Sequence, residues 1–165
     1  MSDVAVRPAA PDDYPVIRDL LKAAFGGADE AKLVDALRLD GDVVLELVAL
    51  TDTAIVGHIV FSRLVVRGEK NTDAVALAPL AVVPSHQGIG IGSALVGAGH
   101  ERLAAAGERL SVVLGDTAYY GRFGYEHRRA CDFECQYQGE HLQALAFAEA
   151  PRSGTLVYAR AFGAL

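Results

Sequence analysis

Along the chain the spacing of apolar residues switches between every second position and every third or fourth, and the switches mark out elements. Val4 to Arg7 read as a short strand ended by Pro8 and Pro11. Val16, Ile17, Leu20 and Leu21 then recur with helical spacing behind Asp12 or Asp13, either of which suits an N-cap. Gly26-Gly27 interrupts this helix, and a second one runs from Asp29 through Leu33, Val34 and Leu37 to Gly41. Three strands are predicted next, Val43 to Leu50, Ala54 to Val66 and Ala74 to Val83, separated by turns at Thr51-Asp52-Thr53 and Arg67 to Asn71. The middle one is apolar on both faces, which places it centrally in a sheet. A helix from Ile91 to Ala106 is expected to bury Ile91, Leu95, Gly99, Leu103 and Ala106, to turn His100, Glu101 and Glu108 outward, and to close at Gly107. Leu110 to Leu114 form a short buried strand, Ala118 to Phe123 a short helix, residues from Tyr125 onward extended chain, and Thr155 to Ala161 a last strand.

This order predicts an α/β (α+β) fold: a mixed, mostly antiparallel sheet flanked by helices, in one domain over residues 1–165. The segment from Ala74 to Leu114 would be a right-handed parallel crossover. Within its first strand Pro79 cannot donate to a ladder, so a bulge is expected there. One reading has the strand splay from its next neighbour, leaving backbone groups of Leu80, Ala81 and Val82 free for an extended ligand; the other is an irregularity with no ligand.

The strand ends at Val83-Pro84, and Ser85-His86-Gln87-Gly88-Ile89-Gly90-Ile91-Gly92-Ser93 leads straight into the helix. Glycine-rich backbone at a helix N-terminus collects N–H donors and a positive dipole end, which suits phosphate. A nucleoside-triphosphate loop would need a Lys-Ser/Thr pair after the last glycine, but Ser93-Ala94 stands there. A dinucleotide G-x-G-x-x-G fits neither register of these glycines. What remains is Gln87-x-x-Gly90-x-Gly92.

Composition narrows the partners. With 165 residues, 52% of them apolar, the chain can bury one good core, and no apolar run is long enough to span a bilayer. A net charge of −6 argues against nucleic acid as a partner. No secretory pattern opens the chain and only two cysteines, Cys131 and Cys135, are present, so a cytoplasmic protein with reduced thiols is expected. Both cysteines are expected in one strand, about 13 Å apart at strand rise and too far to share a metal or a disulfide. No metal site is expected, and a homodimer is left open.

The loop, Pro79 and the run Gly115-Asp116-Thr117-Ala118-Tyr119-Tyr120-Gly121-Arg122-Phe123-Gly124-Tyr125 resemble the GNAT superfamily of acetyl-coenzyme A-dependent N-acetyltransferases, over nearly the whole chain. The resemblance implies that acetyl-CoA is the acyl donor and that its diphosphate sits on Gln87, Gly88, Ile89, Gly90, Ile91, Gly92 and Ser93. It also implies that the pantetheine arm lies along Ala81, Val82 and Val83, with Tyr119 and Phe123 walling the groove. The implied reaction is direct acetyl transfer in a ternary complex to a primary amine of a small molecule or peptide. Alternatives are a catalytically silent acyl-CoA-binding module, an acyltransferase using another acyl-CoA, and a structural subunit without cofactor.

Acyl transfer needs a neutral amine, an oxyanion donor and a proton for the departing thiolate. By resemblance the oxyanion donor is the N–H of Leu80 or Ala81, and Tyr120 is the acid, unless it is simply a packed aromatic. Relatives often carry an asparagine after the last crossover strand; here Gly115-Asp116 and a shorter connection stand in its place. Residues 74 to 83 hold no carboxylate to serve as base. His58 is the candidate, against the alternative of a hydrogen-bonded core histidine, with Glu46 to orient it or to meet a cationic acceptor. Arg122, Arg128 and Arg129 could reach a phosphate or be solvated.

Overall fold

In a computed structural model, which describes residues 3–164, one sheet of eight strands organises the chain. Residues 1, 2 and 165 of the expected domain lie outside the described residues. The order of elements is β1 (Val4–Pro8), α1 (Tyr14–Phe25), α2 (Asp29–Asp40), β2 (Val43–Thr51), β3 (Ala54–Arg67), β4 (Thr72–Val82), α3 (Ile91–Ala105), β5 (Leu110–Leu114), α4 (Thr117–Gly121), α5 (His127–Ala130), β6 (Asp132–Glu134), β7 (Leu142–Ala146) and β8 (Ser153–Tyr158). Spatially the strands run β1-β2-β3-β4-β5-β7, and β8 joins the free end of β3 with β6 beside it. All pairs are antiparallel except β4–β5 and β6–β8. The mixed, mostly antiparallel sheet expected from the sequence is the one observed.

β3 is long enough to serve two neighbours on one edge. Ala54 to Ser62 pair with β2, Leu64 to Arg67 pair with β8, and β4 covers the other edge. Its apolar residues are buried on both faces, as a central strand requires. Helices α1 and α2 cover one face through Ile17, Leu20, Leu21, Leu33, Val34 and Leu37, packed on Val48, Val60 and Ala81. Helix α3 covers the other through Ile91, Leu95, Val96 and Leu103, packed on Leu47, Ile59, Phe61 and Leu77. Gly99 lets it come close, since a Cβ there would stand 2.5 Å from the Phe61 ring.

Several expectations need correction. Val16 is 48% exposed, because the apolar stripe of α1 is centred on Ile17, Leu20 and Leu21. Asp13 sits at the N-cap of α1 without capping it; its carboxylate accepts from the Ala10 N–H (2.8 Å) and from Arg7 (2.7 Å) instead. His100 does not face outward. Its ring lies among Phe61, Tyr125 and Phe147, whereas Ala106 is exposed. The chain after Tyr125 is not continuously extended: α5, β6 and β7 intervene, and the last strand is Ser153–Tyr158. β7, with the sequence Leu-Gln-Ala-Leu-Ala, has no β-branched residue, so propensity hides a strand that pairing with β5 imposes. Cys131 caps α5 and Cys135 follows β6, so the two do not share a strand; both are free.

Candidate active site

The β4 ladder changes character at Pro79. Ile59 pairs with Leu80 and Phe61 with Leu77, so Ala78 and Pro79 together face Val60, a bulge of one extra residue. On the other edge β4 meets β5 only at Val75, Ala76 and Leu77, and pairing stops where the bulge begins. Beyond it the strands part. The Val83 N–H donates to Val56 O (2.9 Å), which fixes the alternation of the antiparallel ladder. Ala81, opposite His58, therefore spends its N–H and C=O on β3, while Leu80 and Val82 turn theirs into the gap. The Val82 carbonyl is already taken, accepting from the Gln87 side-chain amide at 3.0 Å. What the gap offers is the N–H and C=O of Leu80 and the N–H of Val82.

At the end of the gap lies the glycine loop. His86 and Gln87 N–H close a turn onto Val83 and Pro84, and the first paired amide of α3 is Ala94, donating to Gly90 O at 3.0 Å. Between them, the N–H groups of residues 88 to 93 have no acceptor among the described residues. Gly88 (φ 78°) and Gly90 (φ 92°) hold left-handed conformations, and a Cβ on either would meet nothing within 4 Å. These two glycines answer a backbone demand and leave space open. Gly92 answers a different one, because its missing Cβ makes room for the Tyr119 hydroxyl.

Tyr119 and Tyr120 reach the site from α4. Asp116 caps that helix, its carboxylate accepting from Ala118 N–H (2.8 Å) and Tyr119 N–H (3.4 Å). The Tyr120 ring stands edge-on between Tyr119 and Tyr125 and covers Gly115, where a Cβ would come within 2.6 Å of it. Burial, then the neighbouring Tyr119 and Asp116, push the Tyr120 phenol up to about 12, so it stays protonated throughout the physiological range. Arg122, one turn on, lies over the Tyr119 and Phe123 rings and donates to Ser93 Oγ at 3.3 Å. Its cation thus stands beside the start of α3.

A cleft of about 540 Å³ joins these parts. Of the residues singled out from sequence, Leu80, Val82, Gln87, Gly88, Gly90, Ile91, Gly92, Ser93, Tyr119 and Tyr120 line it. The others do not. Ala81 and Val83 are consumed by the ladder, Ile89 points to solvent at 66% exposure, and Phe123 packs behind Tyr119 against the core. Arg122, one of three arginines that the sequence offered as a phosphate contact or as solvated charge, also lines the cleft, and His86 and Asp116 line it without having been assigned to it. Asp116 is legible as an Asx cap three residues before the tyrosine pair.

His58 is also outside the cleft. It is 0% exposed, on the face of β3 covered by α1 and α2. Its Nε2 lies 2.7 Å from Glu46 Oε2, and the same carboxylate takes a two-pronged bond from Arg38 (3.1 and 2.6 Å). Arg38 in turn stacks 3.5 Å from the Tyr14 ring centre. Burial works to raise the Glu46 carboxyl, but the bonds from His58 and Arg38 prevail and hold it below its ordinary value. No cluster of metal-binding side chains occurs among the described residues.

Residues 5–128 match the family model described as acetyltransferase (GNAT) domain. The chain is 40% identical over 135 residues, 81% of its own length and 80% of the relative's, to uncharacterized N-acetyltransferase YhbS of Escherichia coli (strain K12). The crystal structure of that GNAT family N-acetyltransferase from E. coli in complex with CoA superposes with a TM-score of 0.91 at 34% identity, covering 99% of this chain and 93% of the other. A GNAT family acetyltransferase from Brucella melitensis in complex with acetyl-CoA gives 0.83, also at 34% identity, over 98% and 99%. With the bulged strand, the parted neighbour and the amide-lined loop all in their places, this chain belongs to the GNAT family of N-acetyltransferases.

Proposed function

We propose that the protein transfers an acetyl group from acetyl-CoA directly to a primary amine of a small molecule or peptide. One observation carries this reading: the unpaired N–H groups of residues 88 to 93 open onto the same cleft as the unpaired edge of Leu80 and Val82. The residues fit the cofactor. Open space over Gly88 and Gly90 admits a diphosphate against the backbone, and the Leu80–Val82 edge can pair with the amides of a pantetheine arm as a strand would. Arg122 adds the one full cation of the cleft lining, since the loop from Pro84 to Ser93 holds no Lys or Arg. When bound, acetyl-CoA supplies an activated thioester.

The chain supplies the rest. The Leu80 N–H, fixed by the bulge and aimed into the gap, donates to the oxygen on which negative charge develops. Ala81, the other donor considered, has its N–H in the ladder. Tyr120, kept protonated by burial, gives its hydrogen to the departing sulfur. Relatives crystallised with CoA and acetyl-CoA support this use of the cleft. A net charge of −6 favours cationic amines over acidic ones as acceptors. Isothermal titration with acetyl-CoA, followed by thiol release across a panel of amines, tests the reading. Binding together with release is expected, and binding without release from any amine would leave a silent module.

A further inference from the structure

A proton donor works only if it is held in place, and Tyr120 stands on a helix too short to do that alone. The five residues of α4 make little more than one turn. Support comes from Tyr125. Its N–H donates to the Tyr120 carbonyl at 3.3 Å, and its ring meets the Tyr120 ring edge-on, at 87° with 5.9 Å between centres. Tyr125 is itself 1% exposed, inside the core on the α3 side of the sheet.

A phenylalanine would fill the same core space, so the hydroxyl at position 125 needs a reason of its own. It lies between two partners, 2.7 Å from Ser111 Oγ and 2.8 Å from His100 Nε2. Ser111 is fully buried on β5, where it pairs with Val75 of β4, and His100 belongs to α3. One oxygen thus joins the strand that walls the gap, the helix that carries the amide loop, and the chain just after α4. The hydrogens balance. Burial holds His100 down to about 4, so its ring is neutral at working pH and offers one N–H and one lone pair. If Ser111 donates to the Tyr125 oxygen, the phenol donates to His100; if His100 donates, the phenol donates to Ser111. With its three polar atoms partnered, the network adds more to rigidity than to net stability.

Resting on the acetyl-transfer reading with Tyr120 as its acid, we propose that Tyr125, Ser111 and His100 are positioning residues for that acid. The doubly bonded hydroxyl of Tyr125 pins the ring against which Tyr120 stands, and so fixes where the Tyr120 hydroxyl lies in the cleft. None of the three lines the cleft, so they act on turnover and not on cofactor affinity.

Tyr125→Phe removes one oxygen and keeps the ring. Thiol release at saturating substrates should show kcat reduced about tenfold, from a shift smaller than the roughly 1 Å that costs about 100-fold. KM for both substrates and the acetyl-CoA Kd should stay within about twofold of wild type. Ser111→Ala leaves the bond to His100, so it should cost less, and nothing further when added to Tyr125→Phe. A tie that served stability alone would lower the urea midpoint and leave kcat untouched. Position is read in the Tyr120→Phe background, where Tyr125→Phe should change kcat by about twofold at most. Unchanged kcat in Tyr125→Phe, or an equal loss with and without the Tyr120 hydroxyl, would overturn the proposal. If Tyr125→Phe does not fold, Ser111→Ala decides by the same comparison, its loss having to vanish in the Tyr120→Phe background. Full turnover by Tyr120→Phe would reject the acid assignment. Wild-type protein that binds acetyl-CoA yet acetylates no amine would reject the acetyl-transfer reading, and either result takes the proposal with it.

Discussion

Gly115→Ala isolates the placement of Tyr120. The new methyl would stand 2.6 Å from Tyr120 Cε2 and 3.1 Å from Cδ2, whereas carbon atoms settle at about 3.5–4.0 Å. The ring has to move by roughly 1 Å, and Tyr119 and Tyr125, edge-on at 5.0 and 5.9 Å, limit where it can go. Overpacking of this kind costs about 1–3 kcal/mol of stability. A 1 Å error in a proton donor can cost about 100-fold in rate. Thiol release should therefore show kcat reduced by one to two orders of magnitude, while calorimetry shows acetyl-CoA affinity within about threefold of wild type. The decisive control is the double variant. If Tyr120 is the acid, Tyr120→Phe alone slows turnover, and adding Gly115→Ala to it costs little more. Equal, additive rate losses in the two backgrounds would show that the ring position does not matter to chemistry, and the assignment of Tyr120 would fall.

Other perturbations have equally definite outcomes. Gly90→Val places a β-branched residue at φ 92° in the open floor of the cleft, and calorimetry should find acetyl-CoA binding lost or weakened more than tenfold. Unchanged affinity would mean the diphosphate sits elsewhere. Arg122→Gln should weaken acetyl-CoA about tenfold at low salt and flatten the salt dependence of Kd, with Arg122→Lys intermediate. His100 is depressed to about 4 by burial, so the folded protein stays neutral there while the unfolded chain takes up a proton below about 6.5. The sign follows: stability is intact above pH 6.5 and declines as pH falls toward 4, by at most about 3 kcal/mol. Urea titrations at several pH values should show this slope, and His100→Gln should reduce it.

Much of this architecture could be read from the residues, and the parts that could not have physical reasons. Gly26, Gly41 and Gly107 mark helix ends because their left-handed conformations stop helices cleanly, and each stands where the pattern put it. Pro79 disclosed the bulge because proline has no N–H to hide. Ladder parity was invisible, and it decides that Leu80 rather than Ala81 faces the gap, since a one-residue difference leaves composition unchanged. His58 and His100 look alike as isolated histidines. Only packing distinguishes one held by a carboxylate from one wedged among Phe61, Tyr125 and Phe147. The segment from His127 to Ala146 was misread because its strands are three and five residues long and are fixed by partners distant in sequence.

The junction between β4 and β5 has one more consequence. Three residue pairs join these strands, whereas nine join β4 to β3. The sheet is thus two stiff plates meeting along a narrow seam, and thermal opening will concentrate there. A guest lying across both plates stitches the seam beyond Leu77, so the amides of Val75 to Leu77 and Ser111 to Val113 become slower to exchange with solvent when the cleft is filled.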